Sequence, residues 1–394
     1  MSGTTTTIDA VAERSPSGHA RTEATDPVPG PGDPVHTTQR PSDARFAAAL
    51  DHALTATRSA LDEQLARAVA RADDAGPQVA ELWEGLGNQV GGKLVRPRLV
   101  LAAYLGLGGE ELDAAVPVAA AQELLHTAML VHDDLLDHDE SRRGRPNLAG
   151  ATRSRLAEAG VTGSAAEVHV QAAAVLGGDL AISGAFELVV SSAADPLVRL
   201  EVTRQLVRAV QAAVAGEVLD VSGQLRSPLD SEPELVAELK TATYTCVVPL
   251  VSGAILAGAD LAVRERLEAC GRALGIAFQL VDDLLGVFGD PQVTGKSVIS
   301  DLREGKRTLL LACAYRAAAP EDLVLLDRYV GQADLSEADA DVVREIMRRT
   351  GAPHAVRATV VRHLDEAREA ASGLPGTLRR YLTQLADSFA GRVA

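Results

Sequence analysis

Asp133, Asp134 and Asp137 stand at i, i+1 and i+4 at the end of an apolar run, Leu124 to Leu136. In a helix of about 3.6 residues per turn, Asp133 and Asp137 share a face one turn apart, with Asp134 about 100° round the axis. Adjacent carboxylates repel and weaken a helix, and an apolar segment has little reason to hold them unless a cation lies between them. Ligands that are all oxygen suit a hard ion, Mg2+ in particular, which keeps its waters and shares its shell with phosphate oxygens. Asp282 and Asp283 repeat the arrangement at the end of Leu274 to Leu285, and the two Asp-Asp-Leu-Leu sequences are the chain's one internal echo. Either cluster by itself also reads as a solvated helix end. Two of them, each preceded by an apolar helical run, point to a metal site.

Positive charge gathers in short motifs beside glycines: Gly91-Gly92-Lys93-Leu94-Val95-Arg96-Pro97, Ser141-Arg142-Arg143-Gly144, Gly295-Lys296 and Gly305-Lys306. Glycine lets the backbone approach a phosphate closely, and Arg and Lys supply the charge that binds it. That charge is scarce elsewhere, since 38 basic side chains against 54 acidic ones leave a formal −16. A surface that tracks nucleic acid is excluded as the main purpose. Aspartates and basic motifs together specify a site for diphosphates bridged by metal ions.

The elements that must carry these residues are helical. The chain has 394 residues, 46% hydrophobic, enough for a large core. Phe46 to Ala72, Leu112 to Leu136 and Val198 to Leu219 repeat apolar residues at i, i+3, i+4 and i+7. Alternating strands flanked by hairpin turns are missing, and aromatics amount to 3%. An all-α single domain over residues 43–394 follows. Residues 1–42, rich in Pro, Thr, Ser and Gly, read as a disordered tail. Thr241 to Ala259 is uncharged and long enough to span a bilayer, but Pro249, Ser252 and Gly253 favour a buried core helix, so no stable membrane insertion is expected. Cys246, Cys270 and Cys313 lack any metal-ligand or disulfide spacing and read as three buried thiols. The polar, Thr-rich start carries no secretory signal, and the expected location is cytoplasmic.

Over about residues 46 to 390 the sequence resembles the trans-isoprenyl diphosphate synthases of the polyprenyl synthetase family. The family's first motif, Asp-Asp-x-x-Asp followed after four residues by Arg-Arg-Gly, stands at Asp133 to Gly144. Its Gly-Gly-Lys-x-x-Arg-Pro motif is at Gly91 to Pro97, its histidine at His126, and its Lys-Thr pair at Lys240-Thr241. The second motif runs from Phe278-Gln279 through Asp282-Asp283, Gly289-Asp290, Gly295-Lys296 and Asp301 to Gly305-Lys306. The resemblance implies a bundle of long antiparallel helices around a central cavity, and a homodimer. It implies that Lys93, Arg96, His126 and Arg143 hold the diphosphate of isopentenyl diphosphate. Arg142, Lys240, Thr241, Gln279, Lys296 and Lys306 would surround an allylic diphosphate, bridged by three Mg2+ ions, or Mn2+ in their place, to Asp133, Asp137 and Asp282. Asp134 and Asp283 would act in support of those ligands. Two positions depart from the pattern: Gly286 stands where the second motif usually has a third acid, and Glu217 replaces the glutamine of Gly-Gln-x-x-Asp.

The chemistry implied is ionisation of the allylic diphosphate, attack by the double bond of isopentenyl diphosphate on the cation, and loss of a proton to the bound diphosphate. Leu125, Ala128 and Met129, on the helix that ends in Asp133, would line the trough for the growing chain. In this family an aromatic at the nearer positions closes the trough early. None stands here, so the product is expected to exceed fifteen carbons, with the twenty-carbon geranylgeranyl diphosphate favoured and a longer polyprenyl or a farnesyl diphosphate as the alternatives. A terpene cyclase would have no use for the motif around Lys93 and Arg96, and a non-catalytic subunit would be expected to have lost acids from the first motif, of which all three are present.

Overall fold

In the computed structural model, residues 41–72, 74–142, 144–289 and 298–392 are described. The helices are α1 (Pro41–Ala72), α2 (Pro77–Gly87), α3 (Val95–Gly106) and α4 (Leu112–Leu136), then α5 (Leu148–Glu158), α6 (Ser164–Val190) and α7 (Pro196–Gly223). A short α8 (Pro233–Val236) runs into a π-helical segment, Ala237–Val247, and on into α9 (Val248–Leu256) and α10 (Leu261–Phe288). After residue 298 come α11 (Ser300–Glu304), α12 (Leu309–Ala317), α13 (Pro320–Tyr329), α14 (Glu337–Arg349), α15 (Ala352–Ser372) and α16 (Gly376–Ala390). Among the described residues the strands are two residues each, β1 (Ser141–Arg142) paired antiparallel with β2 (Arg145–Pro146). The expected tail lies outside the described residues except for its last two positions, which open α1. Arg143 and Lys296 also lie outside them.

The helix starts follow local chemistry. Asp195 caps α7 by accepting from the Leu197 amide, with Pro196 supplying a preset φ, and Asp260 caps α10 by accepting from the Val263 amide. Two apolar clusters form behind the helices. One centres on α4, with Leu124, Leu125 and Ala128 fully buried; the other centres on α10, with Leu274, Ala277 and Leu280 fully buried. The carboxylates of both acidic motifs sit at the ends of these two central helices, and side chains from each half reach the other there.

The expected single helix over Thr241 to Ala259 is in fact two, a wide π-helical stretch and α9, ending at Leu256. Its neighbours explain why it fits. A Cβ on Gly216 of α7 would run into the Lys240 backbone, and one on Gly275 of α10 would run into Ala242. Glycine on both flanking helices makes room for the wider turn, which brings Lys240 and Thr241 against the acidic residues. The spans 112–136, 164–190 and 233–256 are each long and apolar enough to cross a membrane. The first and third are mostly buried inside the bundle, whereas half of the second is exposed. Cys246 and Cys270 are buried free thiols, pushed up to about 12 by desolvation, and Cys313 is partly exposed.

Candidate active site

α4 delivers Asp133 and Asp137 to one face, and Asp134 turns into the protein, its side chain 4% exposed against 26% for that of Asp133. The β1–β2 hairpin folds back so that the Arg142 guanidinium grips Asp134 with two nitrogens, Nε donating at 2.9 Å. Burial raises the Asp134 carboxyl above its ordinary range, and Arg142 pulls it part of the way back. Arg142 is therefore spent mainly on Asp134, with its Nη2 3.8 Å from Asp133.

Lys240 Nζ lies 2.7 Å from Asp220, 2.8 Å from Glu217 and 3.0 Å from Asp133. Lys306 Nζ lies 2.8 Å from Asp137, 3.0 Å from Glu304 and 3.9 Å from Asp301. Desolvation alone would lower both ammonium groups, but the surrounding carboxylates win and hold them well above the usual lysine range. Desolvation likewise pushes Asp133 up, and Lys240 and Lys306 outweigh it, keeping this carboxylate below its ordinary value. Asp133 Oδ1 is buried and makes no aligned hydrogen bond; its approach to Lys240 is a charge contact.

The second cluster is wired differently. Thr241 Oγ1 donates to Gln279 Oε1 at 2.7 Å, and Gln279 Nε2 donates to Asp283 Oδ1 at 2.8 Å. Desolvation, with Asp301 next and Asp282 beside it, pushes Asp283 up to about 8. Asp283 keeps some surface open to solvent while its carboxyl lies deep among protein atoms. Gln279 and Thr241 are thus brought to the cluster as its connectors.

The Lys93 motif forms a strained loop. Gly91 and Gly92 have φ of 128° and 101°, and Leu94, with φ of 48°, stands in the left-handed region that a side chain enters at a cost of about 1 kcal/mol. Leu94 is 3% exposed and serves as the loop's anchor, leaving Lys93 exposed and starting α3 directly afterwards. Arg96 turns inward, donating to Tyr244 Oη at 3.0 Å and Thr245 Oγ1 at 2.7 Å, with its guanidinium 4.6 Å from the Tyr244 ring centroid. His126 stands on the same tyrosine at 6.1 Å between centroids. Asp220 and Asp301 join the site as acids of motifs already quoted, and Tyr244 and Glu304 join it without being singled out; for Tyr244 the available signal is its place one turn after Lys240.

On α4, Met129 shares the Asp133 face, whereas Ala128 lies about 140° round the axis. Ala128 sits between Leu124 and His132 on one helical row, and those two oppose Gly184 and Gly178 of α6. Ala128 and Leu125 are enclosed, and Met129 is half-buried. Two open surface hollows, about 420 Å³ over Glu234, Leu309 and Arg316 and about 320 Å³ beside the hairpin, lie away from this face.

Among the described residues no three His, Cys, Asp or Glu side chains converge to cage a metal unaided. The donors are split between two helix ends and are all carboxylate, and Asp133 presents a buried oxygen without an aligned donor. That set fits a hard divalent ion that completes its shell with phosphate oxygens.

The polyprenyl synthetase family model matches residues 85–347. The chain is 33% identical over 301 residues to a short chain isoprenyl diphosphate synthase of Methanothermobacter thermautotrophicus, covering 75% of this chain and 85% of that one. It is 35% identical over 315 residues to the (2E,6E)-farnesyl diphosphate synthase of Mycobacterium tuberculosis, covering 77% and 80%. A crystal structure of geranylgeranyl pyrophosphate synthase from Corynebacterium glutamicum, complexed with isoprenyl diphosphate and magnesium, superposes with a TM-score of 0.78 at 29% identity, covering 85% of this chain and 98% of that one. With Lys240 and Lys306 set against the acids at the end of α4, the chain belongs to the polyprenyl synthetase family and is a trans-isoprenyl diphosphate synthase.

Proposed function

We propose that this prenyltransferase joins isopentenyl diphosphate to an allylic diphosphate to make geranylgeranyl diphosphate, using three Mg2+ ions that Mn2+ can replace. The observation that carries the reading is the pair of lysines: Lys240 binds α4 to α7, and Lys306 binds α4 to α11, placing two cations across the face that Asp133 and Asp137 share. Both are held protonated by the carboxylates around them and offer full charge to an allylic diphosphate. Mg2+, when bound by Asp133, Asp137 and Asp282, neutralises charge on the departing diphosphate. Lys93, on its strained loop, with Arg96 and His126 around Tyr244, supports a second diphosphate site for isopentenyl diphosphate. Buried apolar residues of α4 behind the acids exclude water from the cation.

The twenty-carbon product is supported by the absence of an aromatic at Ala128 and Met129. The relatives named above make farnesyl, geranylgeranyl and other short chains, so product length is the point to test. Incubation with isopentenyl diphosphate, Mg2+ and each of the dimethylallyl, geranyl and farnesyl primers, followed by product sizing, decides it; a fifteen-carbon end product overturns the assignment.

The homodimer is supported by α7, which exposes Leu200, Val207, Val214, Val218 and Val221 at spacings of three, four and seven residues. Such a stripe on a helix matches a helix-helix seam with a second copy. Light scattering at working concentration tests it, and a monomer counts against it.

A further inference from the structure

Lys240 and Lys306 reach the Asp133–Asp137 face from different elements, so their spacing depends on what ties those elements together. Lys306 sits in a tight turn after α11. Gly305 has φ of 67°, the Lys306 amide donates to the Asp301 carbonyl at 3.0 Å, and the Thr308 amide donates to the Lys306 carbonyl at 2.9 Å. A helix of five residues has little stability of its own, so this turn takes its place from whatever grips it. On one side the Gly331 amide donates to the Leu302 carbonyl at 2.8 Å, and Arg303 Nη2 donates to the Leu335 carbonyl at 3.0 Å. Toward α7 the grip is Arg307. Its Nη1 donates to the Gly305 carbonyl at 2.9 Å, its Nη2 to the Gln224 carbonyl at 2.9 Å and its Nε to the Arg226 carbonyl at 3.0 Å. Gln224 caps the C-terminus of α7, one turn beyond Asp220, which holds Lys240. A closed circuit results: Asp133, Lys240 and Asp220 lead along α7 to Arg307, and from there through Lys306 back to Asp137. A guanidinium that merely capped α7 would need only the carbonyls at that helix end, where a cation is favourable in any case. Arg307 also spends a nitrogen on the residue before Lys306, and its planar fork fixes the angle between the two partners.

We propose that Arg307 is a positioning residue for the allylic diphosphate: by locking the Lys306 turn to the end of α7, it sets the gap between Lys240 and Lys306 that a diphosphate bridges. The proposal rests on the prenyl diphosphate synthase reading and deepens it. Arg96 and His126 stand on α3 and α4 around Tyr244, outside this circuit, so the isopentenyl diphosphate site should not feel the change.

The test compares Arg307→Met and Arg307→Lys with wild type. The readouts are the inorganic pyrophosphate concentration that gives the half-maximal thermal shift at fixed Mg2+, and the KM for each substrate. Arg307→Met keeps the stem and loses the three donors. It is expected to raise the pyrophosphate midpoint and the allylic KM about tenfold, with the isopentenyl diphosphate KM within about twofold of wild type. Arg307→Lys, which keeps the charge without the planar fork, should fall between the two. Arg349→Met, which strips the Asp322 carboxylate of its partner between α14 and α13, is the control: it should lower the melting temperature and leave the pyrophosphate midpoint unchanged. A lowered melting temperature in Arg307→Met with an unchanged midpoint, or equal rises in both KM values, overturns the proposal. Should Arg307→Met fold poorly, Arg307→Lys carries the test, and a wild-type midpoint in that variant overturns it. A wild-type enzyme that makes no prenyl diphosphate overturns the function reading instead, and the pyrophosphate midpoints still report on Arg307.

Discussion

The two acidic helix ends carry the same Asp-Asp-Leu-Leu sequence and are built on opposite electrostatic plans. At the end of α4 every acid faces a cation: Asp133 has Lys240, Asp134 has Arg142 and Asp137 has Lys306. At the end of α10, Asp283 faces Gln279 and the neighbouring carboxylate of Asp301, and its proton is held up to a pH of about 8. At the first end each acid has a cation of the protein beside it before any ligand arrives, although Lys240 and Lys306 are each shared with further carboxylates. At the second the Asp283 carboxyl holds its proton near neutrality. Identical motifs are therefore kept in different charge states, one paired with cations and the other holding a proton.

The largest effects test whether both ends serve the metal. Asp133→Ala and Asp282→Ala are each expected to lower turnover by about three orders of magnitude or more while leaving the circular dichroism spectrum unchanged. A chelator should abolish activity, and Mg2+ or Mn2+ should restore it. Full activity in either variant breaks the assignment.

Stability separates the two ends. Arg142→Ala strips the partner from a buried carboxylate and is expected to cost about 3 kcal/mol in denaturant unfolding. Asp283→Asn replaces a carboxyl that is already protonated near neutrality and should cost little. The pH dependence of the metal-free protein has the matching sign. The folded pKa of Asp283, about 8, lies above its unfolded value of 3.8, so its contribution is complete on the acid side and is lost as pH rises through that window. Glu304, raised to about 7, acts in the same direction. Asp133 is shifted the other way, so its contribution is present above its unfolded value and is lost only in strong acid. Asp283→Asn should therefore flatten the decline in melting temperature between about pH 4 and 8; an unchanged slope would remove Asp283 as its source.

How much of this was legible in the sequence depends on range. The acids at i, i+1 and i+4 fix their own relative directions, so Asp134 turning away from Asp133 follows from helical geometry alone. Lys240 and Lys306 could be named from their motifs, but their partners could not. Asp137 and Lys306 are 169 residues apart, and no local pattern reports their 2.8 Å contact. The π-helical stretch was invisible because its apolar pattern suits an ordinary buried helix, and the glycines that admit it lie on two other helices. Gly286 read as a missing acid; the space it leaves for Asp301 is a property of packing. Arg142 read as a diphosphate ligand, and the hairpin directs it to Asp134.

A finer effect concerns Glu217. Its carboxylate is one of three around Lys240, and exchange for the family's usual glutamine removes one competitor for that ammonium. Glu217→Gln is expected to lower the apparent KM for the allylic diphosphate about two- to fivefold with kcat little changed, as suits a partly exposed ion pair worth about 1 kcal/mol or less. A raised KM would show that Glu217 helps to hold Lys240 in place.

The smallest expected effect is on product length, and it sets two faces of α4 against each other. Met129 lies on the Asp133 face, one turn or about 6 Å back along the axis, where a tail leaving the metal-bound end would pass. Met129→Ala removes bulk from that path and should lengthen the product by about one isoprene unit with little loss of stability, because the residue is half-buried. Ala128 is about 7.5 Å back and enclosed on the row that packs against α6. Ala128→Phe must push into that contact, so it should shorten the product toward fifteen carbons and also cost about 1 to 3 kcal/mol by overpacking. Leu125→Ala, deeper still and 1% exposed, should open the floor and lengthen the product at the cost of a cavity, about 2 to 5 kcal/mol. Chromatographic sizing with melting temperatures measured alongside separates the two faces. Unchanged twenty-carbon product from all three, with only the two enclosed positions destabilised, would mean that the length is set by helices other than α4.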